Sequence, residues 1–432
     1  MKSEIKPTYL LVRRFTHRNT LMIKKCIPEL IISIVCIILF IIFNKDRTWE
    51  FFLTDEVITV NSINLGWIEI VKERYWAGHS PLYFAIIKGW SLLICYLFRV
   101  QPSDLSEFTV RLPSILAAGL AGGFFAGAAW RSWGPPAGLL FVPLWILSPI
   151  VGNHAIEARP YSFLLLALSI GVWSGSRLWQ AEGSNGSGPI TLWALSIVSP
   201  IIAAATIPAG IPAVIAIELS AASLLRRVVA EPFARRWKLR TLLVSFSVFI
   251  VLVAYAPAIL YKSTNYWTEY YSPFSLESVG AVFGEIVLQG GIFSGYILLA
   301  LSAVGLFLRR DGFLGRAAFG LALVFPILMI VLSAAKTLLV ARYFLPTVPG
   351  LFLLAAGVAS TRLSEFRSLF AGAAIIMISA SLVIDRPYPK HLSTRRAEER
   401  LELLNKLNVN QIDGAVTHPH AGNVLDYYIQ RD

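Results

Sequence analysis

The residues best suited to chemistry in this sequence stand at the ends of long apolar runs. Asp55 and Glu56 are adjacent carboxylates just beyond the first run. Such a pair can be a solvated loop pair, part of a metal-ligand set, or an acid pair for proton transfer. Glu69, Lys72, Glu73 and Arg74 follow on an expected amphipathic helix, and His79 precedes Ser80-Pro81. Arg111 lies in Val-Arg-Leu-Pro-Ser. His154, Glu157, Arg159 and Tyr161 share His-Ala-Ile-Glu-Ala-Arg-Pro-Tyr, and Lys336, Arg342 and Tyr343 share Lys-Thr-Leu-Leu-Val-Ala-Arg-Tyr-Phe-Leu-Pro.

Arginine presents paired N–H donors that match a phosphate. A carboxylate beside such cations at a membrane surface suits one reaction. The carboxylate takes the proton of a hydroxyl or amine acceptor. The acceptor attacks the anomeric carbon of a sugar carried on a lipid phosphate, and the arginines stabilise the charge gained by the leaving phosphate. One direct displacement inverts the anomeric centre.

The elements that must position these groups follow from composition. The chain has 432 residues, of which 56% are hydrophobic and 15% charged, with a mean hydropathy of +0.64. Soluble domains carry roughly 25% charged residues. The deficit excludes a cytosolic globular enzyme, a disordered chain, a coiled coil and a disulfide scaffold. Cys26, Cys36 and Cys95 lie in or beside apolar runs and read as small core residues. Apolar runs of about 20 residues must satisfy their backbone internally as helices, so the expected class is an all-α polytopic membrane protein. The net charge of +12 is clustered in short loops, which points to orientation in a bilayer and not to nucleic acid.

The runs are 27–43, 80–98, 111–130, 136–152, 160–179, 190–207, 211–225, 241–260, 288–308, 317–335, 338–358 and 368–385. The basic loops 226–240, 309–316 and 359–367 are expected on the cytoplasmic side with the N-terminus. Parity then requires one run before 226–240 not to cross. The choice is 80–98, which holds Lys88 with Tyr83, Trp90 and Tyr96 and is expected to lie along the interface. About 11 spans result (about 10–13 at the limits). Around them lie a cytoplasmic segment 1–26, a transmembrane domain 27–385 with an external loop 44–110, and a small external tail 386–432. The tail is expected to hold a helix over 395–407 and a strand over 414–417.

In this arrangement Arg111, Arg159, Lys336 and Arg342 sit on the external face, against the orientation rule. Headgroup anchoring and snorkelling are the ordinary readings of such residues; four together favour a site for a lipid phosphate. Tyr266 and Trp267 fit an interfacial aromatic belt or a sugar-stacking loop. His418 and His420 read as ordinary tail residues, and a divalent metal at Asp55, Glu56 and Glu157 stays open.

In order along about residues 45–350, the motifs are Asp55-Glu56, Gly78-His79-Ser80-Pro81-Leu82-Tyr83, Arg111-Leu112-Pro113-Ser114, Glu157-Ala158-Arg159-Pro160-Tyr161 and Arg342-Tyr343-Phe344-Leu345-Pro346. This ordered set resembles the lipid-linked GT-C glycosyltransferases of the protein-O-mannosyltransferase and aminoarabinose-transferase type. Ser80-Pro81 stands where that family has Pro-Pro. The resemblance implies a sugar donor on a polyprenyl or dolichyl phosphate, a glycan, lipid or protein acceptor, and catalysis on the periplasmic or luminal side; the compact loops and small tail point to a bacterial inner membrane, with a polyprenyl-phosphate donor. Asp55 would be the key carboxylate, with Glu56 and Glu157 assisting. Arg111, Arg159, Lys336 and Arg342 would hold the donor phosphate, and His79, Tyr83, Tyr161, Tyr343 and Trp267 would contact substrate. The rival class is a transporter or flippase of lipid-linked sugars. Such proteins often carry repeated halves and helices broken at the midplane; this sequence shows no repeat, and its ionisable groups gather at one face.

Overall fold

The structure, a computed structural model, describes residues 27–48, 54–77, 79–182, 189–224, 231–265, 274–288, 292–309, 312–335, 339–359 and 372. The expectations for the segment 1–26, the run 368–385, the tail 386–432 with His418 and His420, and for Tyr266, Trp267 and Lys336 lie outside the described residues.

The described residues form helices and no strand. In chain order these are α1 (Ile27–Phe43), α2 (Thr54–Asn64), α3 (Trp67–Trp76), α4 (Pro81–Phe98), α5 (Glu107–Trp133), α6 (Pro135–Leu147), α7 (Pro149–Ala155) and α8 (Tyr161–Glu182). They continue as α9 (Ile190–Thr206), α10 (Gly210–Ala222), α11 (Glu231–Asn265), α12 (Leu276–Phe283), α13 (Ile292–Arg309), α14 (Phe313–Phe319), α15 (Phe325–Ala335) and α16 (Thr347–Gly357). A π-turn over Gly320–Val324 joins α14 to α15, and a 3₁₀ turn over Ala341–Phe344 precedes α16.

Five described helices are long and apolar enough to cross a membrane: Pro81–Phe98, Glu107–Trp133, Tyr161–Ala181, Phe233–Ala258 and Phe313–Ala334. The pair α6 and α7, bent by 68°, makes a sixth if it is one span. The chain is an integral membrane protein of all-α class. The inclusion of α4 runs against the expectation that 80–98 does not cross. Its length and composition are those of a span, although it packs mainly on the short helices α2 and α3. Val57, Val60, Ile63, Ile70, Tyr83, Phe84 and Ile87 form a core there, beside the larger one of the remaining helices.

Two local rules explain how the larger bundle holds. Lipid offers helices no hydrophobic drive to associate, so close backbone approach must come from small residues. The α5 sequence supplies Gly119, Gly122, Gly123 and Gly127 along one side, against α1. A Cβ on Gly123 would lie 2.7 Å from the Glu29 carbonyl oxygen, which is why glycine is needed at that position. The bend between α6 and α7 has a sequence cause as well. Pro149 disfavours helical backbone at Ser148, which sits at φ −61°, ψ 115°, and the Ser148 hydroxyl caps α7 by accepting from Val151 N at 3.3 Å.

Three expected boundaries change. Arg111 does not open its span; α5 begins a turn earlier, at a cap where Ser106 Oγ accepts from Thr109 N. Arg240 belongs to α11 and not to a basic loop. It is buried and pairs with Glu218 of α10 at 2.6 Å. The run 338–358 is not one helix, because backbone extended at Val340 breaks it and leaves Arg342 in the 3₁₀ turn.

Candidate active site at one end of the bundle

Asp55 and Glu56 occupy the first turn of α2, where carboxylates complement the positive end of the helix dipole. Successive helical residues project about 100° apart, so the two neighbours reach different surroundings. Glu56 turns inward and is fully buried. Its Oε1 accepts from Arg111 Nε at 2.9 Å and from Ala158 N at 2.8 Å, and its Oε2 accepts from Arg111 Nη2 at 2.7 Å. Arg111 Nη1 also donates to the Thr48 carbonyl at 3.3 Å. The bidentate pair joins α2, α5 and the turn after α1.

Ala158 is held from both sides by α2. Its N–H donates to Glu56, and its carbonyl accepts from Thr59 Oγ1 at 3.0 Å. Thr59 lies one helical turn from Glu56 and reaches the same residue, Ala158. This clamp fixes the bend between α7 and α8 and presents the residues on either side of it, Glu157 and Arg159. Arg159 N donates to the Glu157 carbonyl at 2.8 Å, which tightens the bend further.

Asp55 turns the other way and keeps 41% of its side chain exposed. Its Oδ2 lies 2.8 Å from Arg159 Nη1 and 3.4 Å from Arg342 Nη1. Residues 55, 159 and 342 thus meet from three separate parts of the chain. Burial works against the charge on Arg159, but Tyr161, Asp55 and Glu157 together hold its guanidinium above the ordinary arginine value, with Arg342 opposing them. Arg159 also lies over the Tyr161 ring at 5.2 Å, and Arg342 over the Tyr343 ring at 5.6 Å, so aromatic faces back both cations.

Beside this group, Glu157 Oε2 lies 2.9 Å from His154 Nδ1. The His154 ring is 5.0 Å from that of Tyr161. In the sequence His154 carries no assigned part, and its spacing of three residues from Glu157, at the end of a helix, is the one signal for it.

Several expected site residues stand elsewhere or do other work. Arg111 is 3% exposed, and its guanidinium donates to Glu56 and to the Thr48 carbonyl. Tyr83 is 1% exposed, set edge-on to Phe84 and Phe163 in the core of α2, α3 and α4. Tyr161 is buried and acts as a wall behind Arg159 and His154. His79 lies before α4 with its ring 6.2 Å from Phe84, on the side of Arg74. Among the described residues no group of three His, Cys, Asp or Glu side chains could hold a metal. A cation at Asp55 would meet two guanidinium groups, and the oxygens of Glu56 are already taken, so the acids expected to share a metal do not fit one.

No protein-family model matches the chain, and no curated protein matches it. Two solved structures of ArnT from Cupriavidus metallidurans are similar, one in the apo state (TM-score 0.48) and one bound to undecaprenyl phosphate (TM-score 0.49). Each is 16% identical and covers 93% of this chain and 75% of that chain. No residue or ligand carries over at that identity.

Proposed function

We propose that the protein is an integral membrane glycosyltransferase of the GT-C type. It transfers a sugar from a polyprenyl-phosphate donor to an acceptor at the membrane surface. The observation that carries this reading is the meeting of one accessible carboxylate, Asp55, with two arginines, Arg159 and Arg342, at one end of an apolar helix bundle. That set holds the parts the reaction needs: a proton acceptor and a cationic cradle for an anionic leaving group. The order of the motifs around it, which resembles the lipid-linked glycosyltransferases, supports the same reading.

In the reaction, an acceptor O–H or N–H gives its proton to Asp55. The acceptor atom forms a bond to the anomeric carbon as the bond from that carbon to the phosphate oxygen breaks. The electron pair leaves with the phosphate, whose charge Arg159 and Arg342 stabilise. Polyprenyl phosphate is released and the anomeric centre inverts. Glu56, Arg111 and Thr59 hold Asp55 and Arg159 in register, and Glu157 with His154 flanks the acceptor side. The site faces the periplasm of a bacterial inner membrane in this reading.

The test is to reconstitute the protein in vesicles with a polyprenyl-phosphate sugar and follow release of polyprenyl phosphate with transfer of the sugar. Release that requires Arg159 and Arg342 is expected. Failure to consume any of a panel of polyprenyl-phosphate pentoses and hexoses, under conditions where the lipid binds, would contradict the function.

A further inference from the structure

The two adjacent carboxylates of α2 are held in opposite ways. Glu56 is fully buried and uses both oxygens in three hydrogen bonds, each no longer than 2.9 Å. An ion pair of that kind is permanent, because removing one partner strands a buried charge. Asp55 is 41% exposed, and the contacts at 2.8 and 3.4 Å both fall on the single oxygen Oδ2. Arg159 and Arg342 keep 13% and 27% of their side chains exposed, so these pairs stand between fully exposed ones, worth about 0.2–1 kcal/mol each, and fully buried ones.

The same Nη1 atoms that touch Asp55 are the donors a phosphate would use. A phosphate offers several anionic oxygens and matches the guanidinium fork in a way one carboxylate oxygen does not. Charge favours the exchange too. Arg159 and Arg342 carry two positive charges against the one of Asp55 on the oxygen they share.

We propose that Asp55 is a displaceable counter-ion: a phosphate bound between Arg159 and Arg342 displaces its carboxylate, and the released carboxylate then accepts the acceptor's proton. The inference rests on the lipid-phosphate reading above and adds an order to it, with donor before acceptor. Exchange of this kind couples the base to the presence of a leaving group.

The test is binding of undecaprenyl phosphate, with undecaprenol as the uncharged control, to the full chain in nanodiscs. Wild type is compared with Asp55→Asn, Asp55→Ala and Glu157→Gln. If Asp55 competes with the phosphate, both Asp55 variants bind about 3- to 10-fold more tightly than wild type, the fold-change expected for loss of two partly exposed ion pairs. Glu157→Gln, which removes a negative charge close by without touching the competing contact, changes affinity by less than about 2-fold. Unchanged or weaker binding in both Asp55 variants overturns the proposal, as does equal tightening in Glu157→Gln. Wild type that binds undecaprenyl phosphate no better than undecaprenol overturns the lipid-phosphate reading itself, a result distinct from the others.

Discussion

Breaking the Glu56–Arg111 pair separates a supporting role from a ligand-binding one. Arg111→Met removes two donors from Glu56 and leaves that fully buried carboxylate with the Ala158 N–H. Glu56→Gln leaves Arg111, 3% exposed, with the Thr48 carbonyl and a neutral amide. Removing one member of a buried ion pair costs about 3–5 kcal/mol, because the stranded charge keeps its desolvation penalty. Removing both members together strands nothing. The double variant is therefore expected to cost less than the sum of the singles, with a coupling on the order of 1–3 kcal/mol. The assay is detergent-solubilised thermal unfolding, with donor KM measured on the same preparations. Each single variant should melt on the order of 5 °C lower, and the double variant should lose less than the two single losses added together. Additive effects on stability would refute the pairing. Single variants with unchanged melting and a raised donor KM would refute it more directly, since that is the signature of a phosphate ligand.

Two further outcomes follow from the same geometry. Arg342→Ala should lower kcat/KM for the lipid-linked donor by about 10- to 100-fold, the equivalent of one charged hydrogen bond, while leaving the melting temperature nearly unchanged; steady-state kinetics over a range of donor concentrations read both parameters. Chelation of divalent cations should leave the rate unchanged, because the oxygens of Glu56 are taken by Arg111 and Ala158 and Asp55 faces two arginines; a rate abolished by chelator and restored by magnesium or manganese would contradict that donor geometry.

Much of the site could be seen in the sequence because charge at the end of an apolar run is costly and therefore informative. Asp55, Arg159 and Arg342 stand out on that ground alone, and the structure brings these three together. Arg111 and Glu56 stand out equally, yet their pairing spans 55 residues and leaves no local mark. Only the three-dimensional contact shows that their charges cancel. The Ala158 clamp was invisible for a different reason: it is made by backbone atoms, and alanine carries no chemical signal. Arg240 was assigned to a loop because five other basic residues lie close before it, over 226–238. Its buried partner Glu218, a lone acid within the run 211–225, was the sign that a cation had to lie inside the bundle. Periodicity and hydropathy located the helices well. They could not show the bend at Ser148 or the break at Val340, where backbone preference and tertiary packing decide the outcome.

Single-turnover sugar transfer by Asp55→Asn, with lipid-linked donor pre-bound at saturation, tests the central claim most directly. The asparagine keeps the shape of the side chain and cannot take the proton. Transfer should fall by about 10²–10⁴-fold, the range for loss of a general base, while the donor remains bound. Transfer at the wild-type rate from the bound donor would contradict the role of Asp55 as the base.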